Sequence, residues 1–262
     1  MNSVLLDVFA FVGAGSVRPV ILAALLGGLW VGLRRAGLAR RERLITWWSV
    51  AVPLLGWLLV VWRLAQAGVF RPGGVAPSRA IPLAVIVPIL VGLPLLVRSR
   101  NIAAAIDSVP SSWLIGVQVY RVLGAVFLVR WAAGELPGEF AIPAGWGDVL
   151  VGVLALPVAF FVHSRARGSG AAGAAWNVLG IVDLVAALSM GFLTSPGRFQ
   201  VFALDHPNTG VGTYPLVMIP AFAVPLSLIL HGLSLWQLRR AARRSPVVSG
   251  FAAPAAPASR AG

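Results

Sequence analysis

The chain has 262 residues, of which 58% are hydrophobic and only 11% are charged; the mean hydropathy is +0.88 and the formal net charge +13. A soluble domain carries about 25% charged residues, so we expect lipid rather than water to cover most of the surface. Cysteine is absent, which excludes disulfides and Cys-ligated metal centres, and the absence of lysine excludes a retinal Schiff base and a lysine nucleophile.

Residues 1–16 are moderately apolar, but they contain Asp7 and lack the basic start of a signal peptide. We expect them to form an interfacial helix or the first turns of the first membrane span. From residue 17 onward, apolar runs of about 20 residues recur, which is the length needed to cross a bilayer as a helix. These runs predict an all-α bundle of about seven transmembrane helices, at residues 17–33, 44–62, 80–97, 113–131, 142–162, 174–193 and 214–238.

The connections between these spans differ in composition. The first, RRAGLARRER, contains five arginines, and the second, which ends at Arg79, is rich in Gly and Pro and is predicted to be irregular. The fourth is acidic, and the sixth is apolar enough in its middle to lie at the membrane surface. After the seventh span, residues 245–262 are rich in Ala, Pro and Ser, which predicts a disordered tail behind one multi-pass domain over residues 17–244.

The arginines are distributed unevenly between the two sides of the bundle. Fourteen follow the first, third, fifth and seventh spans, whereas six lie on the opposite side together with Glu135, Glu139 and Asp205. Because basic residues concentrate in cytoplasmic loops, the bias predicts an external N-terminus and a cytoplasmic C-terminus. All 21 basic residues are arginine, which is typical of GC-rich coding, and we expect a bacterial plasma (inner) membrane.

Prolines are concentrated in two of the predicted spans, the third and the seventh. Each proline inside a helix removes a backbone hydrogen bond and favours a kink. Interrupted helices mark binding sites in secondary transporters, and they also act as hinges. The prolines in question are Pro82, Pro88 and Pro94 in the third span and Pro215, Pro220 and Pro225 in the seventh.

Arg121 stands near the middle of the fourth span, and Gln118, one helical turn before it, is predicted to point the same way. A charge at that depth costs about 2.5–3.5 kcal/mol on insertion scales, so a partner is expected. Asp183 in the sixth span lies level with Arg121, and Asp148 in the fifth lies roughly 6 Å shallower at 1.5 Å per residue. We therefore predict that Arg121 reaches at least one carboxylate. The pair either fixes helix register or forms a substrate or proton site whose second acid carries a proton.

Two further polar residues occupy later spans. Asn177 lies six residues before Asp183, so the two are not expected to share a helix face closely. His231 lies within the seventh span, where a single histidine is more often a hydrogen-bonded packing residue than a metal ligand. A haem held by His231 and His163 is disfavoured because the two differ in depth by roughly 10 Å.

Metal and cofactor chemistry has little support elsewhere in the chain. Asp205 and His206, together with an acid of the fourth connection, are a scattered ligand set that is typical of a solvated loop. We expect no metal and no cofactor. The patterns GxxxxGK[ST], HExxH and GxSxG do not occur, which disfavours an ATP-driven mechanism within this chain.

Three functional hypotheses follow. The favoured one is a small-molecule or proton-coupled transporter; the alternative is a non-catalytic membrane subunit or sensor whose buried charges only specify helix assembly. A membrane enzyme or haem/quinone protein ranks third, because it would need His231 as ligand or base. The expected partners are the lipid bilayer and an unidentified small molecule or ion, not nucleic acid, and a homo-oligomer or membrane partner stays open. The candidate site residues are Gln118, Arg121, Asp148, Asn177, Asp183 and His231.

Overall fold

The computed structural model describes residues 17–71 and 77–244, and within these ranges every regular element is a helix. The predictions for residues 1–16 and 245–262 fall outside the described residues. Besides α-helices, the described residues contain a 3₁₀ stretch, Val117–Gly124, and a π-helical turn, Ile219–Ala223. The α-helices are α1 (Val17–Arg35), α2 (Arg40–Gln66), α3 (Pro77–Arg98), α4 (Arg100–Asp107), α5 (Ser112–Gly116), α6 (Ala125–Ala132), α7 (Gly138–His163), α8 (Ser169–Thr194) and α9 (Val224–Arg244).

Six helical stretches of the described residues are long and apolar enough to cross a membrane. Many of their large apolar side chains are exposed, including Leu90, Leu95 and Phe160, as expected where lipid replaces water. The protein is therefore a multi-pass helical membrane protein. The six stretches are Arg40–Gln66, Ala80–Arg98, Ser112–Ala132, Gly138–His163, Ser169–Thr194 and Ile219–Arg244, and they correspond to the second to seventh predicted spans.

The two proline-rich spans are built differently. Helix α3 runs without interruption through Pro82, Pro88 and Pro94. The last span begins as a helix only at Ile219, five residues later than predicted, because the stretch before it is irregular. Pro215 lies before the π turn and Pro220 in its first turn, where a missing N–H costs little, and Pro225 follows in the first turn of α9. Kinks in these two spans stay a prediction.

The connection after α3 contains a helix that the sequence analysis did not predict. In α4 the Ser99 side chain accepts a hydrogen bond from the Ile102 N–H (3.3 Å) and caps the helix N-terminus. Ile102, Ala105 and Ile106 are buried on one side, against α1 and the core residues of α9. With eight residues, this amphipathic helix is too short for its period to stand out from the sequence.

The far end of α4 is tied to the last turns of α9. The Asp107 carboxylate accepts hydrogen bonds from Arg240 Nε (3.1 Å) and Nη2 (2.5 Å) and from Arg244 Nη2 (2.6 Å). Gln237 Nε2 donates to the Ile106 carbonyl (2.6 Å). The hydrogen bonds from Arg240, followed by those from Arg244, hold the pKa of Asp107 below its ordinary value of 3.8 despite partial burial. This end of α9 is therefore held by both polar and ionic contacts.

Helix α7 has the most extensive packing against its neighbours among the described elements. It packs along α8 on one side and along the 3₁₀ stretch and α6 on the other. The Trp176 indole of α8 donates to the Val151 carbonyl of α7 (3.1 Å), which fixes the register of these two helices. At Gly152, a Cβ would lie 2.5 Å from the Val122 backbone nitrogen, so this position allows the 3₁₀ stretch to approach α7 closely. This packing brings polar residues of four elements into contact.

Candidate functional site

The 3₁₀ stretch sets the direction of the two polar side chains of the fourth span. In a 3₁₀ helix residues i and i+3 lie directly above one another, so Gln118, Arg121 and Gly124 form one row. All three are buried on the side that faces the rest of the bundle, and Gln118 has no exposed surface. The prediction that Gln118 and Arg121 point the same way agrees with this arrangement, although the prediction assumed an α-helix.

Arg121 uses all three of its side-chain nitrogens. Its Nε donates to Asp148 Oδ1 (2.8 Å), and Nη2 lies 2.7 Å from the same oxygen and is also paired with Asp183. Its Nη1 contacts the Gly180 carbonyl (3.3 Å) and His231 Nε2 (3.2 Å). Arg121 therefore reaches both acids, whereas the sequence analysis predicted at least one. Only 2% of the Arg121 side chain is exposed, so these contacts replace the hydrogen bonds that the guanidinium would make with water.

Asn177 determines which nitrogen of His231 carries the proton. The Asn177 amide nitrogen donates to the Gly173 carbonyl (2.7 Å) and to Ser234 Oγ (3.0 Å). Its amide oxygen therefore faces His231 Nδ1, at 2.9 Å, and can only accept. Because a hydrogen bond needs a proton, His231 Nδ1 must be the donor. This fixes the ring as the Nδ1–H tautomer.

The opposite nitrogen of His231 is then an acceptor. His231 Nε2 accepts from Arg121 Nη1, which agrees with a neutral imidazole beside a guanidinium. The Gln118 amide lies 3.3 Å from Nδ1 and has no other hydrogen-bond partner for its oxygen. With that oxygen turned toward Nδ1, Gln118 and Asn177 would share the one Nδ1–H of His231. Trp176 packs against the ring, with centroids 5.0 Å apart, and closes this side of the site.

Three glycines make room for the charged groups. A Cβ at Gly124 would overlap Asp148, and a Cβ at Gly147 would overlap the Asp183 carboxylate. A Cβ at Gly180 would overlap the imidazole of His231. Each glycine belongs to a different helix of the site, so the backbones come close enough for short side chains to meet. Any side chain at these positions would separate the charged groups.

The charges of this cluster do not balance. Two carboxylates face one guanidinium, and the histidine is neutral by its hydrogen bonds, so the cluster has a net charge of −1 when both acids are ionised. The Asp148 and Asp183 side chains are 13% and 11% exposed, whereas Arg121 is almost fully enclosed. The surplus charge therefore lies on the more accessible groups. Beside the cluster, the Tyr120 hydroxyl shares a 2.6 Å hydrogen bond with Ser227.

Asp148 lies where two cavities meet. The smaller cavity, of about 100 Å³, is lined by Tyr120, Arg121, Asp148 and Ser227 among others. The larger cavity, of about 730 Å³, extends from Asp148 to the segment 195–199 that follows α8. We call the larger one the aromatic cavity, after the five phenylalanines in its wall: Phe70, Phe127, Phe140, Phe192 and Phe199.

The structure brings all six sequence-predicted candidates into one hydrogen-bonded network. Asn177 and Asp183 belong to it although they do not share a helix face closely, because Asn177 contacts His231 and Asp183 contacts Arg121. Sequence reasoning missed Gly124, Trp176 and Ser234; the signal for Ser234 was its position one turn after His231. The six candidates are Gln118, Arg121, Asp148, Asn177, Asp183 and His231.

The other candidates for metal or haem binding are not brought together. His163 is the last residue of α7, at the end that is predicted to be cytoplasmic, and its Nδ1 lies 3.5 Å from Ser112 Oγ. His231, in contrast, is fully buried in the cluster. Asp205 and His206 are exposed in the segment before the last span. Among the residues that the structure describes, no group of three or more His, Cys, Asp or Glu side chains is placed to hold a metal ion.

The fold and the site define a multi-pass helical membrane protein with a buried Arg/Asp/His cluster. The chain belongs to the family described as a domain of unknown function, DUF8737, whose model matches residues 80–239. The match covers 160 of the 262 residues and includes the whole cluster and every lining residue of the aromatic cavity except Phe70. No curated protein and no solved structure matches the chain.

Proposed function

We propose that this protein is a small-molecule transporter coupled to protons in the bacterial plasma membrane. The observation that carries the proposal is the position of Asp148, which lines the aromatic cavity and is hydrogen-bonded to Arg121. Ionisable residues inside membrane helices typically mark substrate or proton pathways. A volume of about 730 Å³ lies within the range of small-molecule sites, about 300–1,000 Å³.

The proposed membrane arrangement has seven spans, with α1 as the first. Its 19 residues would extend about 28 Å, close to the thickness of the hydrocarbon core. The arginine-rich connections at Arg34–Arg43, Arg98–Arg100 and Arg165–Arg167 would be cytoplasmic together with the end of α9. In this orientation the aromatic cavity lies toward the external side, and the cluster lies near the middle of the bilayer.

The proposed coupling between substrate and proton depends on the second carboxylate of the cluster, which no positive charge balances. Arg121 keeps its charge at any accessible pH, so a proton entering the cluster goes to Asp148, Asp183 or His231. The Nδ1 atom of His231 already donates to Asn177, and its Nε2 faces a guanidinium, so the carboxylates are the better acceptors. A proton on Asp148 would remove the negative charge at the end of the cavity. Substrate and proton would then depend on the same carboxylate.

Reconstitution into liposomes tests the proposal. Vesicles would contain a pH-sensitive dye, and a panel of cationic, anionic and neutral solutes would be added outside. We expect at least one solute to cause proton movement with the wild-type protein and none with Asp148→Asn. Asp205→Asn is the matched control, because this exposed acid lies outside the cluster. Proton movement that is equal in all three proteins would refute the proposal.

A second function is favoured by one specific observation. Every side-chain nitrogen of Arg121 has a partner within the protein, which is also what a purely structural ion cluster requires. The protein would then be a non-catalytic membrane subunit or sensor. Arg121→Leu combined with Asp148→Asn separates the two functions. A folded double variant without solute-dependent proton movement supports the transporter, provided that the wild type moves protons in the same assay.

A further inference from the structure

The wall of the aromatic cavity is suited to an apolar body. Along α3 it presents Ile81, Val85 and Ile86, and along α8 it presents Leu184 and Leu188. The five phenylalanines complete it. Alkyl and aromatic groups of a ligand leave water when they pack against such a wall. This burial favours binding by about 25 cal/mol for each Å² of apolar surface removed from water. A small hydrophilic solute would gain little in this cavity, because few polar groups are present to replace its hydration.

The charge in the cavity is located at its inner end. Asp148 belongs there, and behind it the cluster has more carboxylates than guanidinium groups. Among the described lining residues, Arg198 is the one basic side chain, and it lies in the segment after α8 rather than near Asp148. Its guanidinium carbon is 4.4 Å from the centroid of the Phe199 ring, so it is stacked on an aromatic face.

From these two features we infer that the aromatic cavity binds an amphiphilic organic cation. This inference rests on the proposed function and names its substrate class. The positive group is seated beside Asp148, whose surplus negative charge it neutralises. The apolar or aromatic body lies against Phe127, Phe140 and the leucines of α8. The faces of the phenylalanine rings add cation–π attraction for a charge that moves along the cavity.

An amphiphilic anion fits this site less well. Its apolar body would be accommodated equally, but its charge would face the surplus carboxylate at the inner end. Only Arg198 would attract it, and that residue already stacks on Phe199. Because the surplus carboxylate lies at the inner end of the cavity, the site should select a ligand by the sign of its charge and not by its shape. Two ligands of nearly the same shape and opposite charge measure this preference directly.

The probes are tetraphenylphosphonium and tetraphenylborate, measured by equilibrium dialysis against purified full-length protein in detergent, with protein-free micelles as the blank. We expect the cation to bind above the blank and the anion not to. Losing one desolvated ionic contact is worth about a factor of ten or more, so Asp148→Asn should weaken the cation at least tenfold. The exposed Asp205→Asn variant should bind it as the wild type does.

A second pair of variants tests the cavity without changing its charge. Ala187 lines the aromatic cavity, whereas the neighbouring Ala186 is exposed on the outer face of α8. Ala187→Trp should fill the cavity and abolish binding of tetraphenylphosphonium. Ala186→Trp adds the same side chain to the lipid face and should leave binding unchanged. Equal binding by these two variants would overturn the assignment of the ligand to this cavity.

The outcomes separate this inference from the proposed function. Preferential binding of tetraphenylborate, or binding of neither probe by the wild type, would overturn the inference. If neutral or anionic solutes still caused Asp148-dependent proton movement in liposomes, the proposed transporter function would be supported and only the inferred substrate class would be wrong. Asp148-dependent and Ala187-dependent binding of tetraphenylphosphonium, without binding of tetraphenylborate, supports the inference. Absence of proton movement with every solute would then refute the transporter alone.

Discussion

Removing the guanidinium from the cluster is the most informative perturbation that the structure offers. In Arg121→Leu the apolar side chain replaces a group that contacts Asp148, Asp183 and His231. Two carboxylates are then left close together with no positive charge beside them. A buried carboxylate without a partner is costly, so we expect one of the two to take up a proton rather than remain charged.

The cost of that proton sets the expected loss of stability. At pH 7, protonating a carboxyl group with an ordinary pKa of about 3.9 costs about 4 kcal/mol, and at pH 5 about 1.5 kcal/mol. The first value agrees with the loss of about 3–5 kcal/mol typical when one partner of a buried ion pair is removed. The folded variant binds a proton that the unfolded chain does not, so its stability falls as the pH rises. For a chain of this size these losses correspond to about 8–16 °C in Tm at pH 7 and about 3–6 °C at pH 5.

Thermal unfolding in one detergent at both pH values measures the effect. Arg130→Leu is the matched control, because Arg130 lies in the same span and pairs with Glu135 at an exposed position. That variant should lose only about 0.2–1 kcal/mol, with little change between pH 5 and pH 7. Adding Asp148→Asn to Arg121→Leu should restore at least half of the lost stability, because Asp148 accepts contacts from two of the guanidinium nitrogens.

Two results would refute this reasoning. One is a loss that is the same at pH 5 and pH 7, which would mean that no proton is taken up. The other is an additive loss in Arg121→Leu with Asp148→Asn, which would mean that the two side chains are not coupled in the folded protein. Either result would show that Arg121 is stabilised by groups other than these carboxylates.

Three further predictions concern packing, pH and topology. Gly147→Ala should separate α7 from α8 at Asp183 and lose about 1–3 kcal/mol, whereas Gly27→Ala, with open space around its Cβ, should be neutral or stabilising in the same melting assay. Asp107→Asn should lose about 0.5–1 kcal/mol above the ordinary pKa of 3.8, and the difference from wild type should disappear as the pH falls through the lower folded-state pKa. A reporter fused near Gly138 should be external; a cytoplasmic signal there would overturn the proposed orientation of the last four spans.

The membrane class and six of the seven predicted spans follow from the sequence because lipid selects long apolar runs. The helices extend beyond the predicted spans by one to five residues at most ends, since polar residues such as Arg40 and Ser169 continue a helix outside the hydrocarbon core. Helix α4 was not predictable by hydropathy, because its stability comes from burial of Ile102 and Ile106 and from the contacts of Asp107. These are tertiary contacts, and a local sequence pattern does not record them.

The membership of the cluster was predictable for a simple reason. Few polar residues occur inside the apolar runs, and each must find a partner when lipid excludes water. What the sequence could not give is the pairing within the cluster. Depth along the helices places Asp148 and Asp183 near Arg121, but only the rotation of each helix decides that both reach it. The same holds for His231, whose partner Asn177 lies on another helix.

The 3₁₀ winding of Val117–Gly124 explains how one guanidinium serves three helices. In an α-helix, residues three apart differ by about 60° in direction, so Gln118 and Gly124 would diverge by about 120°. In the tighter helix they align, so the amide of Gln118 faces α9 while Gly124 leaves space for Asp148 in α7. Hydrogen bonds in 3₁₀ geometry are poorer than those of an α-helix, and the contacts of Arg121 offset that cost. The irregular segment and the ion cluster therefore stabilise each other, and loss of the cluster charges is expected to release the segment toward α-helical winding.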